Sequence, residues 1–420
     1  MDKTIKPGWN YKKLNELGFV GRGKSKHRPR NDPSLYGGKY PFIQTGEVKA
    51  ADLYILNHSQ TYNEKGLAQS KLWQPETLLI TIAANIAETT ILKIKACFPD
   101  SIVGFIADSN KTDVRFVKYY IDIIKLHMQG ISKGTTQDNL SLDKLLSFNF
   151  LTPPLITQRK IADILSNYDR LIENNTRRIE ILEEMARSLY NEWFVKFRFP
   201  GHEQVNMVDS ELGLIPEGWE VRKVTETVFI NPKTHVPKEG EKPFVPMGCL
   251  TNKLMLISNI ELRCGNNGSK FKNGDTLFAR ITPCLENGKT GYVQFLPSEN
   301  DVAFGSTEFI VLRYKSLCPE YVYLMARSDE FRDNAIKSMS GATGRQRVQE
   351  ACFDNFLIAH PDTETISKFF NLIAPIFRSI YVLAQKNKNL RQTRDLLLPR
   401  IISGEINVEK LNINLEEVEQ

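Results

Sequence analysis

Ile5-Lys6-Pro7-Gly8-Trp9-Asn10-Tyr11-Lys12-Lys13-Leu14 stands near the start of the chain, and Ile215-Pro216-Glu217-Gly218-Trp219-Glu220-Val221-Arg222-Lys223-Val224 repeats its pattern 210 residues later. Three more matches follow in the same order. Tyr40-Pro41-Phe42-Ile43-Gln44-Thr45-Gly46 is echoed by Lys242-Pro243-Phe244-Val245-Pro246-Met247-Gly248, and Thr77-Leu78-Leu79 by Thr276-Leu277-Phe278. Gly134-Thr135-Thr136-Gln137 is echoed by Gly341-Ala342-Thr343-Gly344. Four matches in one order, at offsets near 200–210, describe a tandem duplication. Solenoid repeats run about 20–50 residues, so this period means two copies of one domain, each with a connecting element.

The first part of each copy is rich in short β-like runs and turn residues. Strand candidates are Ile43, Leu78-Leu79-Ile80, Ile91-Leu92-Lys93-Ile94 and Ile102-Val103-Gly104-Phe105-Ile106 in the first copy. In the second they are Thr276-Leu277-Phe278-Ala279, Gly291-Tyr292-Val293 and Phe309-Ile310-Val311-Leu312. Helical patterns at 115–127 and 319–337 intervene, so each globular part reads as α+β.

The second part of each copy is a long helix. Ile161, Leu165, Tyr168, Ile172, Asn175, Ile179, Leu182, Ala186, Leu189 and Trp193 fall at alternating steps of 4 and 3, the spacing of a heptad seam. Ile366, Phe369, Ile373, Ile376, Ile380, Leu383, Asn387, Leu390, Arg394 and Leu397 repeat the pattern. Pro153-Pro154 precede the first helix and Pro200-Gly201 follow it. Asp362-Thr363 can cap the second, Pro399 or Gly404 can end it, and Pro375 should bend it locally.

A helix with one narrow apolar stripe needs a partner. Each could pack on its own module, but the two seams match in length and each carries one asparagine, a residue that fixes register in coiled coils. Pairing of the two helices is the preferred reading. For equivalent modules to sit at opposite ends, the helices must be antiparallel, with an approximate two-fold axis. About 35 residues at 1.5 Å each give roughly 50 Å, more than one turn of B-DNA, about 34–36 Å.

The expected architecture is thus α+β, two similar globular modules joined by two long helices in an antiparallel coiled coil with pseudo-two-fold symmetry. Residues 1–152 and 213–361 are the modules, 153–199 and 362–404 the spacer helices, 200–212 a linker and 405–420 an acidic tail.

Composition sets the class. Apolar residues make up 41% and charged residues 25%, as in a chain with real cores. The apolar stretch around 78–87 is too short to cross a bilayer, and no secretory leader pattern stands at the start, so a cytoplasmic protein without a membrane partner is expected. The six cysteines form no C-x-x-C pair, which reads as thiols in a reducing compartment and no metal site. The net charge of +6 permits nucleic-acid binding. Arg22, Lys24, Lys26, Arg28 and Arg30 concentrate it locally.

One motif resembles catalysis. Gly18-Phe19-Val20-Gly21-Arg22-Gly23-Lys24-Ser25 fits the phosphate-loop pattern, which works only between a strand and a helix. Pro29 and Pro33 follow too soon for that helix, so the segment reads as a basic, glycine-rich loop for a phosphate backbone. No methyltransferase, nuclease or hydrolase constellation is recognisable. Twin modules without a catalytic set indicate a non-catalytic reader or scaffold that binds no cofactor itself.

Several stretches, spread over almost the whole chain, are similar to specificity subunits of type I restriction–modification systems. They are Gly213-Leu214-Ile215-Pro216-Glu217-Gly218-Trp219, Gly134-Thr135-Thr136-Gln137-Asp138-Asn139-Leu140, Asn191-Glu192-Trp193-Phe194-Val195, and Leu397-Leu398-Pro399-Arg400-Ile401-Ile402-Ser403-Gly404-Glu405. Ser340-Gly341-Ala342-Thr343-Gly344-Arg345-Gln346-Arg347-Val348 and Ala279-Arg280-Ile281-Thr282-Pro283-Cys284-Leu285-Glu286-Asn287-Gly288-Lys289 join them. The resemblance implies that each module is a target recognition domain for one half of a bipartite, asymmetric double-stranded DNA site. It implies that the helices are spacer regions on which two modification subunits dock, with restriction subunits joining. Those partners would carry the S-adenosylmethionine, ATP and Mg²⁺ chemistry. The chain departs from the family at Ala84-Asn85-Ile86-Ala87, where glycines are frequent.

Reading bases takes donors and acceptors on loops facing a groove. The candidates in the first module are Arg22, Lys24, Lys26, Arg28, Gln44, Thr45, Thr135, Thr136 and Gln137. In the second they are Lys233, Thr234, Arg280, Lys289, Arg345, Gln346 and Arg347. Two alternatives stay open: a coiled-coil scaffold joining two protein-binding modules, and a specificity subunit of a methylation-only or type IIB-like system.

Overall fold

The computed structural model describes residues 6–132, 140–342, 344–409 and 411. The chain divides into two compact units, Met1–Asn174 with Asn387–Gln420, and Asn175–Lys386. Each unit therefore combines one module with part of both long helices.

The first unit is built on a five-stranded sheet in the order Gly18–Arg22, Ile102–Ala107, Thr77–Thr81, Thr89–Leu92, Tyr54–Ile55. All neighbours are antiparallel except the last pair. Thr77-Leu78-Leu79-Ile80-Thr81 is buried along its whole length, which is why it reads as an unbroken apolar run with no alternation. Helix Val114–Ser132 packs on the sheet's core through Phe116, Val117, Tyr119 and Ile121. Ile43 is fully buried but lies outside the strand Tyr36–Phe42, in the turn that leads to helix Thr45–Ala50.

The second unit repeats this plan. Its main sheet runs Val228–Ile230, Phe309–Tyr314, Thr276–Ala279, Thr290–Tyr292, the same order as the first four strands above. A four-residue helix precedes the edge strand in both, Leu14–Leu17 and Val224–Thr227. The strand after each Gly-Trp pair closes on the strand before each long helix: Asn10–Lys12 on Phe150–Thr152, and Glu220–Lys223 on Leu357–His360. Gly8 and Gly218 both take positive φ, +82° and +89°, and this turn drops Trp9 and Trp219 into the cores. The copies diverge elsewhere. The strand pair Tyr36–Phe42 and Gln60–Tyr62 of the first unit has a full four-stranded second sheet as its counterpart, Glu261–Arg263, Lys242–Val245, Val302–Gly305, Ser269–Lys272.

The helical pattern at 319–337 proves to be two helices, Pro319–Arg327 and Asp329–Lys337. Ser328 is extended, and its hydroxyl accepts from the Phe331 N–H, so it starts a new helix within the apolar periodicity.

The long helices are Leu155–Tyr190 and Thr363–Ile402. Every seam residue is buried or half-buried. In the first unit, Asn387 donates to the Ile172 carbonyl at 3.2 Å, Arg394 pairs with Asp169, and Glu409 beyond the helix end accepts from Thr157 at 3.0 Å. Higher numbers on one side meet lower numbers on the other, so the helices are antiparallel there. In the second unit Trp193 meets Phe369 with ring centroids 5.5 Å apart, so the end of the first helix lies against the start of the second.

The ends follow from local chemistry. The first helix passes into a π turn, Asn191–Val195, which presents Trp193 and Phe194 together to the core. Phe194 lies 4.7 Å from both Tyr321 and Phe369. Asp362 accepts from the backbone N–H and hydroxyl of Thr365 and caps the second helix. That helix is continuous through Pro375 and Pro399 and stops before Gly404, which is left-handed at φ +74°. The second helix also carries an 18-residue window of mean hydropathy 1.3, long and apolar enough by composition to cross a membrane. Phe369, Ile373 and Ile380 from its seam are fully buried in the second unit's core, as expected of a helix packed within a folded unit.

Candidate nucleic-acid interface

The phosphate-loop pattern folds as something else. Gly18–Arg22 is the edge strand of the main sheet, a correction to the loop expected from its glycines. The Gly23 N–H donates to the Ile102 carbonyl at 2.8 Å and the Lys24 N–H to the Phe98 carbonyl at 3.0 Å. Those backbone donors are therefore spent on the protein. A Cβ at position 23 would sit 2.2 Å from the Pro99 carbonyl oxygen, so glycine is there for close backbone approach. Ser25 is buried, with its hydroxyl 3.4 Å from that of Tyr62.

What leaves this strand is an extended, basic, exposed segment. Arg22, Lys24 and Lys26 are exposed, and their side chains engage no hydrogen-bond or ion-pair partner among the described residues. Arg28 is exposed but held, donating to the Ser25 and His27 carbonyls at 2.7 and 2.8 Å. Arg30 pairs with Asp100 at 2.5 Å. Gln44 is committed to the fold, its amide donating to Gln60 at 2.6 Å and its backbone N–H to Glu47 at 2.8 Å. Thr45 is the first residue of the helix that Glu47 and Gln44 cap. Thr135, Thr136 and Gln137 lie outside the described residues.

In the second unit the segment leaving the equivalent edge strand carries Lys233, which is exposed, and Thr234, whose hydroxyl accepts from Arg313 at 2.9 Å. Arg313 also pairs with the fully buried Asp275, whose carboxyl burial pushes up and Arg313 pulls back down. Lys233, Thr234 and Arg280 line one open cleft. Lys270 lines it too. The sequence reading missed this lysine, although the alternation Lys270-Phe271-Lys272 around a buried Phe271 marks a strand with a basic outer face.

The remaining candidates separate by partner. Arg347 grips Glu308 through two nitrogens, at 2.9 and 2.6 Å, and these bonds hold the Glu308 carboxyl below its ordinary range. Arg280 pairs with Glu350 at 2.9 Å and donates to the Val348 carbonyl at 3.2 Å. Gln346 is tied through its backbone to Thr282, donating to its hydroxyl and accepting from its N–H, both at 3.1 Å. Arg345 is exposed and Lys289 half-buried, and neither has a side-chain partner among the described residues.

Two buried carboxylates on the first long helix join helix to module, and periodicity gave no sign of either. Asp169 accepts from the Tyr119 hydroxyl and from Arg394, both at 2.5 Å. Glu183 accepts from the Met255 backbone N–H; burial pushes its carboxyl up, against the pull of that N–H and of Arg327 and Arg187. All six cysteines are free thiols, and no three metal-ligating groups gather among the described residues.

Residues 6–184 match a family described as the type I restriction modification DNA specificity domain. A type I restriction enzyme specificity subunit of Methanocaldococcus jannaschii, MjaIX, is 24% identical over 97% of this chain and 95% of its own length. The Escherichia coli EcoEI specificity subunit is 34% identical over 35% of this chain and 26% of its own length. The crystal structure of a type I restriction–modification S subunit from M. genitalium has the same fold, with a TM-score of 0.58 at 12% identity, covering 95% of this chain and 98% of that one.

Proposed function

The chain belongs to the specificity subunits of type I restriction–modification systems, and from that premise we propose that each of its modules reads one half of a bipartite, asymmetric DNA site. The observation that carries this reading is the repeated main sheet with unlike surroundings. Both units keep one strand order, while the basic segments that leave the edge strand differ, Arg22, Lys24 and Lys26 against Lys233. A shared frame with different exposed side chains is what two non-identical readers require. A scaffold joining two protein-binding modules is not favoured, because the relatives are DNA specificity subunits.

The chain is a non-catalytic subunit, and the reaction belongs to the assembled complex. Two modification subunits dock on the paired helices, restriction subunits join, and S-adenosylmethionine, ATP and Mg²⁺ act on those partners. Exposed Leu171, Ile181, Met185, Leu372, Val382 and Leu396 on the long helices supply apolar surface for such docking. Six free thiols suit a reducing cytoplasm.

The test is co-expression with the cognate modification subunit, followed by sequencing of the host's methylated bases. A split, asymmetric motif that requires this chain is expected. Methylation that is absent, or that occurs without the chain, overturns the reading.

A further inference from the structure

The second unit holds an open cleft of about 440 Å³ where the chain leaves the edge strand Val228–Ile230. Phe309 and Val311 of the main sheet line it, together with Lys233, Lys270 and Arg280. Among the described residues, three cations and no carboxylate contribute to the lining. A cleft of similar size in the first unit has the opposite character: Asp52, Glu88, Asp122, Asp169 and Asp395 outnumber Lys118, Lys125 and Arg394. A polyanion is drawn to the first kind of surface and repelled by the second.

Which part of a nucleic acid fits is decided by what the cleft has free. Reading a base edge takes fixed donors and acceptors. Several of these are already used: Ser269 donates to the Phe309 carbonyl at 2.8 Å, the Asn231 side-chain oxygen accepts from the Val311 N–H at 2.8 Å, and Thr234 accepts from Arg313. Arg280 is anchored by Glu350 and Val348. The Lys233 and Lys270 side chains have no partner among the described residues. Two flexible point charges beside polar groups that are largely committed to the fold suit phosphate oxygens, which carry no sequence information.

Resting on the DNA-reading role above, we propose that this cleft seats the DNA backbone at the second half-site, Lys233 and Lys270 each neutralising a phosphate, and that it positions the duplex without reading a base. Arg280, its charge paired with Glu350, shapes the wall.

The test compares the parent and Lys233→Ala/Lys270→Ala, each as full-length chain in complex with its modification subunit. The probes are a duplex containing the methylated motif and a scrambled duplex of equal length. Each neutralised phosphate contributes about 0.9 to the slope of log affinity against log salt. The double variant should therefore bind both duplexes more weakly, with a slope shallower by about 1.8. Between 50 and 200 mM salt it should lose about twelve-fold less affinity than the parent. Lys233→Arg/Lys270→Arg should restore the slope, and the motif methylated should be the same in all three. An unchanged slope overturns the proposal, and so does an altered motif, which would make these lysines base readers. If the parent itself shows no preference for the motif duplex, the DNA-reading role fails instead, a result distinguishable from either.

Discussion

Replacing Asp169 with alanine is the sharpest probe of how the long helices pair. Its carboxylate is 5% exposed and accepts from Tyr119 and Arg394, residues 50 and 225 positions away. Without it the Tyr119 hydroxyl stays buried with no acceptor, a loss of about 1–3 kcal/mol. Breaking a fully buried ion pair costs about 3–5 kcal/mol, but the Arg394 side chain is 25% exposed and keeps Asp395 at 2.8 Å, so screening by water cuts its share to about 1 kcal/mol. Together these give about 3 kcal/mol. For a unit of this size each kcal/mol lowers Tm by about 2–4 °C, so a drop of roughly 6–12 °C is expected in thermal melts. Asp169→Asn keeps an acceptor for Tyr119 and should lose less. A double-mutant cycle of Asp169→Ala with Arg394→Ala should show coupling of about 1–2 kcal/mol. If the two losses add within about 0.5 kcal/mol, the side chains do not meet and the antiparallel register of the two helices is wrong.

Gly23→Ala should destabilise the chain by about 1–3 kcal/mol, because a new Cβ meets the Pro99 carbonyl, whereas Lys24→Ala should leave Tm unchanged. Equal melting of the two, or ATP hydrolysis that Lys24→Ala abolishes, would return the segment to phosphate binding. Ala84 is left-handed at φ +63°, a conformation that penalises alanine by about 1–2 kcal/mol. Glycine gives back about 0.5–1 kcal/mol of this through its greater unfolded freedom, so Ala84→Gly should still raise Tm by a few degrees, and a lower Tm would refute the strain. Burial raises the Glu183 carboxyl above its ordinary 4.5, so its protonated form favours the folded state: that contribution is complete below pH 4.5 and is lost as pH climbs through the raised value. Glu183→Gln should therefore melt higher relative to the parent at pH 8 than at pH 5. A difference independent of pH would show that the carboxyl is not so perturbed.

The duplication was legible because backbone-determining residues repeat: the Gly-Trp turn and the Thr-Leu-Leu and Thr-Leu-Phe runs sit at equivalent places in both sheets. The seam was legible because an apolar stripe at steps of 3 and 4 keeps to one side of a helix, and only a helix packed along that side needs it. The edge strand Gly18–Arg22 was hidden. Its glycines and the neighbouring Gly23 answer to Phe98, Pro99 and Ile106 across the fold, and in the sequence they imitate a phosphate loop. The break at Ser328 was hidden inside an unbroken apolar period. The cations show the limit most clearly. Residue type marks Arg280 and Arg347 as candidates, but Glu350 and Glu308, 70 and 39 residues away, occupy them. Lys270 carried no signal beyond strand alternation, and its free charge is evident only beside Lys233.

The central claim, two independent readers in one chain, is tested most directly by exchanging the second module, residues 213–361, for that of another specificity subunit of known motif. The exchanged chain is expressed with the modification subunit, and the methylated bases are sequenced. The account predicts that one half of the split motif changes to the donor's while the other half stays as in the parent. A motif in which both halves change, or neither, contradicts it.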